Sequence, residues 1–158
     1  MDEFMAAAFA EAKASFDEGG QPIGAVLVMD GIILGRGRNT LAQSGDATSH
    51  AEMEAYRDAS RRAAKTNEPD KIDGLLRGGT VYTTMMPCIM CSGAIIRFGA
   101  ARVVVAETTS YGKADTLVLM EGHGIEVELR HESECVDLVE AYYRLHPEMR
   151  AAWSADRT

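Results

Sequence analysis

The amino-acid sequence predicts an α/β fold in which helices cover both faces of one mixed sheet. The stretch "IGAVLVMDGIILGRG" holds two apolar runs on either side of Asp30-Gly31, a dipeptide typical of a β-hairpin turn. Beyond the hairpin, segments with helical and strand patterns alternate along the chain, which is the order found in α/β proteins. The segment "ARVVVAE" at residues 101–107 has an unbroken apolar centre, as expected of a strand buried on both faces.

Capping and breaking residues mark the helix boundaries. Asp2 can cap a helix over residues 2–18, in which apolar side chains recur every three to four residues, and Gly19-Gly20 ends it. Further helices are predicted at residues 50–64, 88–98 and 133–144, and further strands at residues 80–84 and 125–130.

Length and composition exclude several classes of protein. The chain has 158 residues and no linker-like segment, so a single domain spanning residues 1–158 is expected. No apolar run approaches the roughly 18 residues of a membrane helix, and the acidic N-terminus lacks the pattern of a secretory signal, which predicts a cytoplasmic protein without a membrane partner. The net charge of −8 argues against a nucleic-acid partner, since such binding depends on neutralising phosphates.

Two short motifs indicate a metal site. His50 and Glu52 form H-A-E, and Cys88 and Cys91 form C-x-x-C directly after Pro87. The two cysteines lie one helical turn apart at a predicted helix start, where unpaired N–H groups favour the thiolate that binds metal. One imidazole and two thiolates suit Zn²⁺ and leave its fourth tetrahedral position open for water, as in catalytic zinc sites.

Glu52 is predicted to act on that water rather than to bind the metal. Residues two apart in a helix point to different sides, so His50 and Glu52 are not expected to bind one ion. His50 can bind it from the helix N-terminus, where the backbone need not be helical. A carboxylate beside the activated water can take its proton and pass it on, which is the chemistry of hydrolysis.

Position alone leaves other interpretations of these residues open. A lone C-x-x-C is often a redox pair, although that interpretation leaves His50 and Glu52 unexplained. A structural zinc site needs a fourth protein ligand, and Cys135 is the one remaining cysteine. It falls in an apolar helical pattern, however, and is expected to be a buried hydrophobic residue. The other histidines have no partner spacing and are expected at the surface or in turns: His123, His131 and His146.

The two motifs together resemble the zinc deaminase signature, H-x-E followed by P-C-x-x-C. The stretches "GQPIGAVLV", "LGRGRN", "VYTTMMPCIMCSGAIIRFG" and "WSAD" extend the similarity over nearly the whole chain, to the fungal-type cytosine deaminases of the cytidine and deoxycytidylate deaminase superfamily. The resemblance implies a three-layer α/β/α sandwich with a five-stranded mixed sheet, in a homodimer. It also implies a Zn²⁺ cofactor and hydrolytic deamination of free cytosine to uracil and ammonia by a zinc-activated water, with Glu52 as the proton shuttle.

The resemblance also assigns residues to the substrate. Asn39 matches the side chain that hydrogen-bonds the pyrimidine edge, and Asp156 matches the C-terminal aspartate that meets the exocyclic amine. Tyr111 and Trp153 match aromatic positions that wall and cover the base. Three positions near the base depart from the fungal pattern: Tyr111 replaces Phe, Ala51 replaces Gly, and Met86 replaces Ser where the family contributes a backbone carbonyl. From position alone, a turn residue is the favoured interpretation of Asn39, whereas Trp153 could equally be a packing residue and Asp156 a solvated tail residue.

Three rival functions fit part of the sequence. A deaminase of another free base, such as isocytosine or guanine, would keep the zinc chemistry and differ in the pocket, where Tyr111 is the first residue to examine. A transfer-RNA adenosine deaminase shares the zinc motif but is disfavoured by the net charge of −8. A non-catalytic, zinc-stabilised binding protein would have no use for Glu52.

Overall fold

The computed structural model describes residues 1–64, 74, 77–110 and 114–150. The strands are β1 (Gly24–Met29), β2 (Ile32–Arg38), β3 (Thr80–Thr83), β4 (Arg102–Val105) and β5 (Glu126–Leu129). The helices are α1 (Glu3–Asp17), α2 (Leu41–Ser44), α3 (Ala51–Ala64), α4 (Ile89–Phe98), α5 (Ala114–Gly122) and α6 (Ser133–Leu145). None of the helices in these residues combines the length and the apolar character that a membrane crossing requires.

The strands form one mixed sheet in the order β2-β1-β3-β4-β5, which confirms the predicted five-stranded sheet. β1 is antiparallel to both β2 and β3, whereas β3, β4 and β5 are parallel to one another. Since β2 and β3 both run opposite to β1, the carboxyl ends of β2, β3 and β4 meet at the same edge of the sheet. Ligands of open α/β sheets bind at such an edge.

The turns and helix caps that the local sequence predicts are present in the structure. Asp30 and Gly31 have φ values of 50° and 75°, so both central residues of the β1–β2 turn are left-handed, as a two-residue type I′ hairpin requires. The side chain of Asp2 caps α1 by accepting a hydrogen bond from the Met5 N–H at 2.9 Å. Gly99 ends α4 in the left-handed conformation.

Helices cover both faces of the sheet, which makes the fold a three-layer α/β/α sandwich. On one face, residues of α1 and α6 pack against β1, β3 and β4 around Met5, Val26 and Val104. On the other face, residues of α3, α4 and α5 pack against the same strands around Ala55, Ile95 and Met120. The alternation of strand side chains separates the two sets, because successive residues of a strand point to opposite faces.

Helix α3 lies unusually close to β2 because β2 contains two glycines that face it. A Cβ atom added to Gly37 would lie 2.2 Å from both the Ala51 carbonyl oxygen and the Ala55 nitrogen. One added to Gly35 would lie 2.2 Å from the Ala55 carbonyl oxygen. Only a residue without a side chain fits at these points, so the two glycines set the depth at which the first turn of α3 sits.

The elements differ from the predicted ones in two places. α5 forms within residues 108–124, for which the sequence predicted no element, and the short α2 forms within the predicted polar loop after β2. The predicted strand at 101–107 is confirmed but shorter, and its three central valines are fully buried. Part of the predicted connector after α3 and the end of the C-terminal tail lie outside the described residues.

Candidate functional site

The predicted metal ligands lie at the starts of two neighbouring helices. His50 directly precedes α3, and its carbonyl oxygen accepts the first helical hydrogen bond, from the Glu54 N–H at 2.9 Å. Cys88 is the N-cap of α4 in an extended conformation, and Cys91 lies in the first turn of that helix. His50 therefore approaches from outside the helix, as predicted, while the helix N-terminus places both sulfurs on one side.

Three ligand atoms converge in a way that fits Zn²⁺. The Nδ1 atom of His50 lies 3.5 Å from Cys88 Sγ and 3.7 Å from Cys91 Sγ, and all three atoms lie within 4.8 Å of one another. A tetrahedral zinc ion with ordinary bonds would separate a nitrogen and a sulfur ligand by about 3.6 Å. The observed spacing thus matches a shared ion, and His50, Cys88 and Cys91 are the residues that would hold it.

The three groups share protons where a cation would bind. Hydrogen bonding from Cys91 and from His50 lowers the pKa of the Cys88 thiol to about 4. The same hydrogen bond to Cys88, together with burial, raises the pKa of Cys91, and hydrogen bonding to Cys88 raises the pKa of His50. A bound Zn²⁺ would replace these shared protons, because coordinated thiols are deprotonated.

Glu52 lies beside this cluster and is almost fully enclosed, with 3% of its surface exposed. Hydrogen bonding from its own backbone N–H and from the side chain of Cys91 partly opposes the effect that burial has on the pKa of its carboxyl group. The Oγ1 atom of Thr83 lies 3.1 Å from Oε1 of Glu52. Burial raises the pKa of the Glu52 carboxyl, so the group is suited to hold a proton and to give it up again.

Asn39 follows β2 at the same edge of the sheet and is completely buried. Its Oδ1 accepts a hydrogen bond from the Leu41 N–H at 3.0 Å, so its Nδ2 faces Gln21, whose Oε1 accepts at 3.0 Å. Ser15 Oγ also donates to the Asn39 carbonyl oxygen at 2.6 Å. Asn39 thus makes the hydrogen bonds of a turn residue, and its amide is held in one orientation that still leaves one N–H and one lone pair.

The other residues assigned to the substrate divide into two groups. Ala51 and Met86 are buried, at 0% and 5% exposure, next to the ligands in sequence. Tyr111, Trp153 and Asp156 lie outside the described residues. Their predicted contacts with the base stay predictions.

Cys135 belongs to the core rather than to the site. It is 2% exposed and packs in α6 against residues of α1 and β4. Burial raises the pKa of its thiol to about 12. Within the described part of the chain, the only potential metal-binding group of three or more is His50, Cys88 and Cys91, which leaves a fourth position open.

Three buried polar residues near the site were not predicted from the sequence. Thr83 and Gln21 hydrogen-bond Glu52 and Asn39, which are 31 and 18 residues away along the chain. Glu107 follows β4, and its Oε2 accepts from the backbone N–H groups of Thr109 and Ser110 at 2.7 and 2.9 Å. The sequence does indicate a role for Glu107, because an acidic residue ends an apolar strand there and Thr-Thr-Ser follows it. No comparable pattern surrounds Thr83 or Gln21.

The zinc-binding region of cytidine and deoxycytidylate deaminases matches residues 1–107, which include both motifs of the cluster. The chain belongs to this family. Together with the three-ligand cluster, the family makes the protein a zinc-dependent hydrolytic deaminase.

Relatives within the family act on different substrates. A cytosine deaminase from Candida albicans is 35% identical over 147 residues, which cover 92% of this chain and 89% of the relative. A tRNA-specific adenosine deaminase from Streptococcus pyogenes is 34% identical over 151 residues, covering 89% of this chain and 88% of that protein.

Solved structures of deaminases share the fold. One from studies of A-to-I editing by tRNA:A34 deaminases has a TM-score of 0.71 and 29% identity, covering 85% of this chain and 97% of its own. A guanine deaminase from Nitrosomonas europaea has a TM-score of 0.71 at 22% identity, covering 88% and 82% of the two chains, and shows the common fold.

Proposed function

We propose that the protein deaminates the free base cytosine to uracil and ammonia, with Zn²⁺ as its cofactor. The observation that carries this proposal is the buried carboxyl of Glu52 beside a three-ligand cluster with an open fourth position. The similarity to the Candida albicans cytosine deaminase along most of both chains supports cytosine as the base.

Glu52 moves the protons of the reaction. Zn²⁺ bound to a site of this type lowers the pKa of a water molecule towards 7. Glu52 takes a proton from the attacking water and gives it to ring N3 as the new C4–O bond forms. When the C4–N bond breaks, Glu52 delivers the second proton of the water to the leaving amine, so that water and cytosine become uracil and ammonia.

Buried side chains on the edge of the sheet orient the base. Asn39 offers one N–H and one lone pair, which pair with the carbonyl oxygen and ring N–H of a pyrimidine. Ala51 and Met86 line the base beside the ligands, and the carbonyl of Met86 accepts a hydrogen bond from it. Tyr111 and Trp153 wall and cover the ring, and Asp156 meets the exocyclic amine.

The protein acts in this proposal as a cytoplasmic homodimer in pyrimidine salvage, without a nucleic-acid or membrane partner. The two helices on the Cys88 side of the sheet expose large apolar side chains, which supports a second copy as the partner. Ile89 of α4 is 65% exposed and Val118 of α5 is 66% exposed. Exposed apolar groups on neighbouring helices are typical of a subunit interface.

A tRNA adenosine deaminase is the second candidate, because the Streptococcus pyogenes enzyme is 34% identical to this chain. Charge argues against it. Arg38 of β2 pairs with Glu11 and Glu18, and on α3 Arg57 pairs with Glu54. Arginines that are already paired with carboxylates contribute little to neutralising a phosphate backbone, and the chain carries a net charge of −8.

Ammonia release from a substrate panel tests the proposal. Zinc-loaded protein is given cytosine, isocytosine, guanine, adenine, cytidine and a tRNA with adenosine at the wobble position. We expect turnover of cytosine. Light scattering should give the active protein a mass of about twice the 17.1 kDa of one chain. Turnover of another substrate alone would keep the zinc chemistry and contradict the assignment of the base.

The variant Glu52→Ala is the control for the chemistry. It should bind one zinc ion per chain and lose at least about 10³-fold in kcat, because it removes the group that transfers both protons. Glu54→Ala is a matched variant, since the Glu54 carboxylate lies two residues further on and pairs with Arg57 away from the cluster. It should retain activity, and substantial turnover by Glu52→Ala would refute the role of Glu52.

A further inference from the structure

We propose that Thr83 is a positioning residue that holds Oε1 of Glu52 and so directs Oε2 towards the reacting atoms. The inference rests on the proposed role of Glu52 as the proton shuttle and is independent of which base the enzyme takes. Thr83 is not a metal ligand and is not among the residues assigned to the substrate.

The register of β3 places Thr83 under α3. Val81 and Thr83 are two residues apart, so they point to the same face of the sheet, and Val81 packs in the cluster that contains Ala51 and Ala55 of α3. Thr83 is completely buried and pairs with Ala25 of β1 in the centre of the sheet. Its backbone is therefore fixed by strand pairing on both sides, which gives a positioning group a rigid base.

The Thr83 hydroxyl lies between two acceptors. Its Oγ1 atom is 3.1 Å from Oε1 of Glu52 and 3.1 Å from the carbonyl oxygen of Met85. A hydroxyl group has one hydrogen to donate and lone pairs with which to accept. It can donate to Oε1 of Glu52, and the carbonyl oxygen of Met85 is its alternative acceptor.

A hydroxyl in this position holds one oxygen of the Glu52 carboxyl group from the side of the sheet. The carboxyl group of Glu52 also accepts from its own backbone N–H and interacts with the thiol of Cys91, which has no proton to donate once it binds a metal ion. Thr83 is then the side chain, among the contacts described for Glu52, that still donates a hydrogen bond to its carboxylate. Without it, Oε1 would lose this side-chain donor, and the orientation of the carboxylate towards the attacking water would be less firmly held.

Kinetics of two variants at position 83 test the inference on whichever base the enzyme turns over. Thr83→Val keeps the shape and removes the hydroxyl, so kcat should fall about 10- to 100-fold, with KM changed less than about threefold and zinc content unchanged. Thr83→Ser restores the hydroxyl and should recover kcat to within about threefold of the wild type. A wild-type kcat in Thr83→Val, or a loss in Thr83→Ser as large as in Thr83→Val, would overturn the inference.

Thr84→Val is the matched control. Thr84 is also buried, at 2% exposure, and its Oγ1 accepts from the Gly24 N–H at 3.1 Å instead of contacting Glu52. This variant should lower the melting temperature as Thr83→Val does and leave kcat unchanged. An equal loss of kcat in both variants would mean that kcat responds to general loosening of β3, which also contradicts the inference.

A double-mutant cycle in thermal unfolding tests the contact without any turnover. Thr83→Val should lower the melting temperature of zinc-loaded protein more when Glu52 is present than in the Glu52→Ala background. Equal shifts in both backgrounds would show that Thr83 does not hold Glu52. If the wild type deaminates none of the bases, the proposed function fails, while the cycle still decides whether the contact exists.

Discussion

Three buried polar side chains at the carboxyl edge of the sheet are each fixed by hydrogen bonds, two of them to groups of the site. Thr83 contacts the carboxyl of Glu52, and Gln21 accepts from the amide of Asn39. Glu107 accepts hydrogen bonds from the backbone N–H groups of Thr109 and Ser110, in the segment that follows β4. Such groups are costly to bury unless they are paired, so their presence at one edge indicates that the geometry of this edge is tightly fixed.

Glu107 gives a pH-dependent prediction. It is 1% exposed, and burial raises the pKa of its carboxyl above the ordinary value of 4.5. The folded state therefore holds this proton more tightly than the unfolded state. The stability that Glu107 contributes is complete below pH 4.5 and is lost as the pH rises through the folded-state pKa.

Glu107→Gln removes this dependence, because an amide does not ionise. The melting temperature of the variant minus that of the wild type should increase as the pH is raised from 4.5 upward. The new NH₂ group takes the place of Oε1, which has no hydrogen-bond partner among the described residues. It therefore lowers the stability of the variant by an amount that is the same at every pH. Thermal unfolding across pH 4–8 measures the difference, with exposed Glu121→Gln as control, and a difference that does not vary with pH would contradict the prediction.

The sequence was sufficient for the ligands and not for their supports. His50, Cys88 and Cys91 stand in short motifs whose spacing reflects local helix geometry, so the cluster could be predicted from the chain alone. Thr83 and Gln21 act through strand pairing and packing that bring together distant residues. No local pattern records such contacts, and they become visible only in the folded structure.

Among the elements, α3 and β2 pack closely together beside the site. Gly37→Ala would place a Cβ atom 2.2 Å from backbone atoms of Ala51 and Ala55, so the first turn of α3 must move by about 1 Å. His50 and Glu52 move with it. We expect kcat to fall about 100-fold and zinc affinity to weaken, since displacements of this size disturb both proton transfer and ligation.

Gly122→Ala separates this effect from a general response to alanine. Gly122 ends α5, and nothing lies within 4 Å of the position of an added Cβ atom. Its melting temperature and kcat should match or exceed those of the wild type. Zinc titration and steady-state kinetics of both variants provide the measurement, and normal values for Gly37→Ala would show that α3 can shift without cost.

Helix α5 was not predicted from the sequence because its residues lack a clear helical pattern of apolar side chains. Its described buried residues are Thr116 and Met120, a narrow buried stripe within a segment that has apolar residues on several sides. The strand topology gives a clearer indication of this helix. β4 and β5 are parallel neighbours, and a parallel connection needs a crossover of a dozen or more residues, most often a helix.

For the molecule as a whole, the metal site joins parts that are distant in sequence. His50 approaches from the start of α3, and the two cysteines from the start of α4, so an ion held by all three ties the helices together on one face of the sheet. Binding energy that the unfolded chain cannot gain adds to the stability of the folded state. The holoenzyme should therefore be more stable than the metal-free protein.

Chelation measures this contribution, and the third cysteine provides the control. Removing Zn²⁺ from the wild type should lower the melting temperature by at least about 5 °C, which corresponds to a ligand held well above its dissociation constant in a chain of this length. Cys88→Ser should show no further decrease on chelation, because it has already lost a ligand. Cys135→Ala removes a buried thiol outside the cluster, so it should unfold at a lower temperature than the wild type yet keep its zinc and its full response to the chelator. If chelation lowered the melting temperature of Cys88→Ser but not that of Cys135→Ala, the metal would lie elsewhere. The comparison is informative because only Cys88→Ser removes a sulfur atom that faces His50.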